Sequence, residues 1–470
     1  MNKIVSTPTP ENTLFEGLSE PIKSKVLASA TSTAARIQAL ENIFSNSILD
    51  RLNIGNTDLK EVLNDLSKLK FGLRDLAKTL WVNSILSSFN IDLKMLKGTS
   101  KDITKLIPEM ATLIFDKLKF KPSLDLGNCQ ALVAAGVHKQ LLERLMDTQV
   151  DLGVRKDAAH ALLNLSLDEA NCPALLAAGV HIAFGALFSY THVDPVVKQY
   201  AAEALYNLSF AVANCQVLVA DGLHKQLGAL LVDPDPGVKE YAAHALLHLS
   251  ANVANHSALV AAGVHAQLGA LLMNTQVDPL GKKYAAHALL HLSANVANHS
   301  ALVAAGVHAQ LGAILVDSQA SAQAKEAAAE ALYKLSANVA NHSALVAAGV
   351  HTQLGALLVD RKASAQAKEA AAEALYKLSE NEAHSQALVV DGVHTQLGAL
   401  LVDSQASAQA KEAAAEALCW LSVREANNER LVADGVHTQL GALINDPNVS
   451  SDAKEFAAVA LDNLGISPAH

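Results

Sequence analysis

The sequence predicts an all-α solenoid of about eight three-helix repeats, and three observations carry that prediction. A Gly-(Val/Leu)-His tripeptide recurs at an almost constant interval. The segments between its copies carry apolar residues at helical spacing. The apolar mass is alanine, leucine and valine, since aromatic residues make up only 4% of the 470-residue chain. A fixed period of roughly 20–50 residues marks a repeat architecture, which grows along one dimension. Chain length therefore sets the number of repeats here, not the number of domains.

The tripeptide glycines are Gly136, Gly179, Gly222, Gly263, Gly306, Gly349, Gly392 and Gly435. Successive copies lie 43 residues apart, except for one interval of 41 between Gly222 and Gly263, where the loop VDPDPGVKEY is trimmed. Residues 241–272 and 284–315 differ only at Leu271 against Ile314, and SQASAQAKEAAAEAL occurs at both 318 and 404. Such identity indicates recent tandem duplication.

The unit from Ala324 to Asp360 resolves into three helices. The first, AKEAAAEALYKLS, places Ala328, Ala331, Leu332 and Leu335 on one face. A short segment, NHSALVAAG, follows, with Asn341 or Ser343 as its expected cap and Gly349 as its end. The last, HTQLGALLVD, carries Leu354, Leu357 and Leu358 on one side. Its central Gly355 recurs at Gly185, Gly228, Gly269, Gly312, Gly398 and Gly441. Glycine in a helix interior costs roughly 1 kcal/mol against alanine, so its recurrence predicts close helix approach. The histidine of each tripeptide, at 138, 181, 224, 265, 308, 351, 394 and 437, reads as a turn or capping element.

This pattern resembles the armadillo repeat family. The matching residues are ALLNLS at 161–166, ALYNLS at 204–209, the series Asn128, Asn171, Asn214, Asn255, Asn298 and Asn341, and the AAG turns. The likeness covers about residues 126–467. It implies a right-handed armadillo-type α-solenoid whose long helix, third in the family's register, lines a concave groove that holds a protein or an extended peptide. The first unit has Leu142 in place of the central glycine, and the last ends on Asp462 and Asn463. Both departures fit the capping of an exposed core.

In the family, the Asn of the long helix typically bonds a peptide backbone, and a Trp four residues earlier often forms side-chain pockets. At the first of these positions the chain reads Asn164, Asn207, His248, His291, Lys334, Lys377, Trp420 and Asn463. Four residues earlier it reads His160, Glu203, His244, His287, Glu330, Glu373, Glu416 and Val459. The Trp ladder is absent and the amide ladder is partial, so the expected groove is amide-bearing first, then histidine-rich, then acidic and basic with Trp420 near its end. Glu330–Lys334 and Glu373–Lys377 stand at i, i+4 in the favourable order, which stabilises a helix by about 0.2–0.5 kcal/mol per pair. His244–His248 and His287–His291 have a spacing that can ligate zinc. HALLH lacks the HExxH glutamate, no third ligand is evident, and the second pair is a copy of the first. A pH-dependent face is the alternative reading of these histidines, and neither a metal site nor a cofactor is expected.

Residues 1–125 carry 17 basic and 14 acidic side chains, whereas the rest carries 19 and 32 together with all 19 histidines. The acidic repeat region opposes nucleic-acid binding, which needs clustered Lys and Arg. Residues 1–13 read as disordered and 14–125 as a helical module, with homodimerisation as one role for it; residues 126–470 form the repeat array. The N-terminus has no apolar signal core, and no apolar run is long enough to span a membrane. Cys129, Cys172 and Cys215 occupy one position of successive repeats and read as buried free thiols of a reducing compartment. No catalytic constellation or phosphate loop is present. The expectation is a cytoplasmic protein-binding scaffold and not an enzyme, with a regulatory or self-assembling module as the alternative. Near-identical repeats beside a non-repeat N-terminal module also resemble host-directed effectors of intracellular bacteria, which would act in a host cytosol.

Overall fold

The computed structural model describes residues 126–467, apart from residues 135, 191 and 192. The disorder expected for residues 1–13 and the helical, dimerising module expected for 14–125 lie outside the described residues. The described residues fall into two compact units divided between Ala183 and Phe184, and each is considered by itself. Among them all regular structure is helical, and no single helix is long and apolar enough to cross a membrane.

The long helices are α1 (Leu152–Ser166) in the first unit and seven in the second: α2 (Pro195–Ser209), α3 (Pro236–Ser250), α4 (Pro279–Ser293), α5 (Ala322–Ser336), α6 (Ala365–Ser379), α7 (Ala408–Ser422) and α8 (Ser451–Asn463). Each starts at a strong cap. Asp151, Asp194, Asp235 and Asp278 accept first-turn backbone N–H groups at α1–α4. Ser321, Ser364, Ser407 and Ser450 do so at α5–α8. A side-chain oxygen at this position satisfies a donor that the helix leaves unpaired.

Two shorter elements complete a unit, as in His342–Ala347 and Val350–Leu358 after α5. The expected cap of the short helix is corrected by the structure: neither Asn341 nor Ser343 caps it. Asn338 caps the preceding single turn, and Asn341 Nδ2 donates 2.8 Å to the carbonyl of Leu335 at the end of α5. Asn171, Asn214, Asn255, Asn298 and Asn427 make the same bond to Leu165, Leu208, Leu249, Leu292 and Leu421. These asparagines therefore satisfy the open C-terminal carbonyls of the long helices. Gly349 holds φ of 72° and turns the chain into the next helix, a conformation that glycine adopts without steric cost.

In the second unit α2 to α8 pack each against the next. The contact is made of alanine and leucine: Ala328, Ala329, Ala331 and Leu335 of α5 are fully buried, as are Ala371, Ala372, Ala374 and Leu378 of α6. The small side chain lets the backbones approach, and each buried leucine contributes about 1.5–3 kcal/mol. The central glycines serve the same approach. A Cβ at Gly228, Gly269, Gly312, Gly355 or Gly398 would fall on the amide oxygen of Gln267, Gln310, Gln353, Gln396 or Gln439 in the following unit. Gly185 has only ordinary contacts around it, and Gly441, in the last unit, has open space.

A lysine near the start of the long helix, half-buried in α2 and buried in α4–α7, closes the unit on itself. Lys198–Asp233, Lys282–Asp317, Lys325–Asp360, Lys368–Asp403 and Lys411–Asp446 pair at 2.8–2.9 Å. Hydrogen bonds from the lysines and from nearby backbone N–H groups hold Asp317, Asp360 and Asp403 below the usual carboxylate range. The exception is Lys239, only 4% exposed, whose counterpart 35 positions on is Asn274. Asn274→Asp supplies the missing carboxylate and is expected to raise stability by about 1 kcal/mol, read as the chemical-denaturation midpoint. Asp317→Asn is expected to lower it by a similar amount.

Candidate binding face on the long helices

The stacking of α2–α8 brings equivalent positions of successive repeats together, so the expected ladder residues do fall on corresponding points of neighbouring helices. Glu203, Asn207, His244, His248, His287, His291, Glu330, Glu373, Lys377, Glu416 and Asn463 are half-buried, and Lys334 is exposed. Trp420 is 43% exposed. His160 and Asn164 are half-buried on α1 in the first unit.

Several of these side chains are engaged in holding repeats to each other. Ser209 Oγ donates to its own helix at Tyr206 (2.7 Å), so its contact with His248 Nδ1 at 3.0 Å requires the imidazole to donate. Ser250 and His291 repeat the arrangement at 3.1 Å, and Asn463 Nδ2 donates to Ser422 Oγ at 3.1 Å. The histidines thus stand in for an amide at a position that ties one repeat to the one before.

The carboxylates do the same through tyrosines. The hydroxyl of Tyr333 donates to Glu373, and the single proton of the Tyr376 hydroxyl is shared by Glu416 and Glu380. Tyr241 donates to Glu203, and burial, with Glu203 and Glu240 nearby, pushes its hydroxyl up to about 12. Glu326, Glu369 and Glu412 accept from the capping hydroxyls of Ser364, Ser407 and Ser450 at 2.5–2.8 Å. The two i, i+4 ion pairs expected from sequence do not form. Lys377 Nζ meets Glu380 at 3.4 Å and lies 4.2 Å from the Tyr376 ring centroid, while Lys334 lies 4.9 Å from that of Tyr333. Tyrosine competes successfully because its hydroxyl reaches the next repeat, whereas the lysine stem is long enough to lie along the ring. Burial and neighbouring acids raise Glu330 and Glu373, and burial is the main cause at Glu416.

The middle of the face is filled by rings. His244 lies between Tyr206 (centroids 4.2 Å, 27°) and Tyr284 (3.8 Å, 12°), and Phe210 meets His248 edge-on at 5.4 Å. His244 itself therefore fills the space between the two tyrosine rings. Burial, with His248 and Lys283 nearby, pushes His244 down to about 4. Among the described residues no group of three or more His, Cys, Asp or Glu is placed to hold a metal. From α5 to α7 the face opens, presenting Lys334, Lys377 and Trp420 beside half-buried glutamates.

The expectation of a turn or capping element holds for some of the tripeptide histidines: the imidazoles of His138 and His224 bond the carbonyls of Val133 and Val219 near the end of the preceding helix. The left-handed glycine precedes the helix with no side-chain cap bond. The imidazoles of His265 and His308 instead bond the carbonyls of Ala301 and Ala344 in the next repeat. His351 and His394 reach Asp391 and Asp434 at 2.7 and 2.8 Å. The cysteines are free thiols. Cys215 Sγ donates to the Ser209 carbonyl at 3.2 Å, and at the same position His256, His299 and His342 use Nε2 to donate 2.7 Å to Ser250, Ser293 and Ser336. The face tyrosines went unrecognised in the sequence. Their signal was the recurrence of Tyr206, Tyr333 and Tyr376 one residue before the ladder position.

No family model matches the sequence, and no curated protein matches it. Among solved structures, an engineered protein matches with a TM-score of 0.59 at 23% identity, over 96% of this chain and 100% of its own. A designed armadillo repeat protein matches with a TM-score of 0.44 at 23% identity, over 51% and 99%. Another, solved in complex with the peptide (KR)4, matches with 0.43 at 22%, over 51% and 98%. Likeness at this identity concerns fold alone, and the fold is that of an armadillo-like repeat solenoid.

His248→Asn keeps a donor toward Ser209, as Asn463 does toward Ser422, and is expected to change stability by less than about 0.5 kcal/mol. His248→Ala loses both the bond and the ring contact and is expected to cost about 1–2 kcal/mol. Thermal unfolding of the two variants distinguishes these outcomes.

Proposed function

We propose that the chain is a protein-binding scaffold that holds an extended polypeptide along the long-helix face of its second unit. The observation that carries this reading is the register of α2–α8: equivalent positions of every helix meet along one face, as recognition of an extended chain requires. The stitched middle, around His244, contributes rigidity. The open stretch from α5 to α7 supplies the contacts, with Trp420 as an aromatic platform and Glu330, Lys334 and Lys377 as polar ones. Large, rigid aromatic groups of this kind carry a disproportionate share of binding energy at interfaces. The role proposed is binding and not catalysis.

The reading includes a cytoplasmic site of action. The near-identical repeats extend it to a host-directed effector acting in a host cytosol. Delivery into host cells by a specialised secretion system would support that extension, and retention in the producing cell would remove it.

A photo-crosslinking residue placed in the full chain at Lys334 or Trp420 is expected to capture a bound polypeptide, whereas one at Val402 is not. Capture from Val402 alone would move the site off this face. Trp420→Ala and Glu330→Lys are expected to weaken capture at least several-fold while the helical circular-dichroism signal stays unchanged.

A further inference from the structure

Titratable groups are distributed unequally along the second unit. Residues 236–316 contain eight of the 19 histidines, three lysines and only two carboxylates, Glu240 and Asp278. Residues 322–463 contain five histidines, ten lysines and arginines, and 18 carboxylates. The histidine-rich stretch spans α3, α4 and the short helices after each.

Its imidazoles hold neighbouring elements together as neutral rings. His256 Nε2–H donates to the Ser250 carbonyl at 2.7 Å, which leaves Nδ1 as an acceptor facing Asn298 Nδ2 at 3.4 Å. His299 bonds Ser293 and faces Asn341 with the same distances. A proton on either Nδ1 would point a donor at a donor. His265 and His308 bond carbonyls of the next repeat, and their Nδ1 atoms are buried without a hydrogen-bond partner. A proton there would be buried without an acceptor.

The charged surroundings do not compensate. His244 faces His248 and Lys283, and His291 faces His256. His287 faces Lys283 and His291, with Glu326 as its one acidic neighbour. Glu240 lies beside Asp278, and burial together with that like charge raises it, while Asp317, just past the stretch, is paired with Lys282. Burial lowers His244, His248, His265, His287, His291 and His308. The unfolded chain therefore takes up these protons first. The stability they support is complete above the unfolded value of about 6.5 and falls as the pH drops below it. Further along, the tripeptide position differs: His351 and His394 meet the carboxylates of Asp391 and Asp434, although their Nδ1 atoms are buried without a partner as at His265 and His308. Burial still lowers His394, and Asp434 opposes it.

We propose that residues 236–316 form an acid-labile segment within the array, whose repeat-to-repeat bonds release on mild acidification while α5–α8 stay packed. The segment lies beside the open binding stretch and would alter it from one side. This inference stands apart from the proposed partner, because its test needs none.

The test is hydrogen exchange on the full chain at about pH 7.5 and 5.5, corrected for intrinsic rates, a window in which only histidine side chains ordinarily titrate. Protection in α3 and α4 is expected to fall at least tenfold at the lower pH, with less than a threefold change in α6 and α7. Equal loss in both regions, or no loss in either, would overturn the proposal. His248→Asn/His291→Asn retains a donor toward Ser209 and Ser250 but gains no charge. Its thermal midpoint is expected to fall by less than the wild type's between the two pH values. An equal fall would assign the acid response elsewhere.

Discussion

The close approach of one long helix to the next is the constraint on which the second unit depends. It is possible because the contacting side chains are alanines backed by leucines, with glycine where a neighbouring glutamine amide lies against the backbone. Alanine contributes little burial per residue, so stability comes from many equivalent contacts repeated along the chain. The same smallness explains the low aromatic content: large rings would hold the helices apart. Rings appear at the face instead, where neighbouring repeats leave room for them.

Close approach also places polar groups of adjacent repeats within hydrogen-bond reach, and the chain uses that reach repeatedly. Asparagines close the ends of long helices within their units. Histidine, tyrosine, glutamate and serine side chains join one unit to the next. Different residues perform one task at equivalent positions: Cys215 and His256 both donate to a serine carbonyl, and His248 and Asn463 both donate to a serine hydroxyl. Substitution among copies has preserved the hydrogen bond while changing the charge state available to it. Much of what distinguishes one stretch of the array from another follows from that freedom.

For a binding face the consequence is a division of labour. Where rings and imidazoles fill the space between helices, as around His244, the face is rigid and closed. Where lysine and tryptophan stand at the same positions, as from α5 to α7, Lys334 and Trp420 extend toward solvent beside half-buried glutamates. The variable positions thus set the character of the face, on a frame that the invariant ones hold.

The period, the helical segments, the buried alanine face and the close approach at the central glycine were all legible in the sequence, because each is a local pattern copied many times. The ladder positions were legible too, since helical geometry assigns them to one face without further information. Their use was not. Glu373 and Lys377 satisfy the rule for a pair on one helix, yet Glu373 accepts from Tyr333 forty positions earlier; Asn341 looks like a cap, yet it serves the end of α5. Spacing along the chain determined which side chains share a face. Only the packing of one repeat on the next decided which of them are bonded and which remain open, because hydrogen-bond reach across repeats depends on a separation in space that sequence distance does not encode.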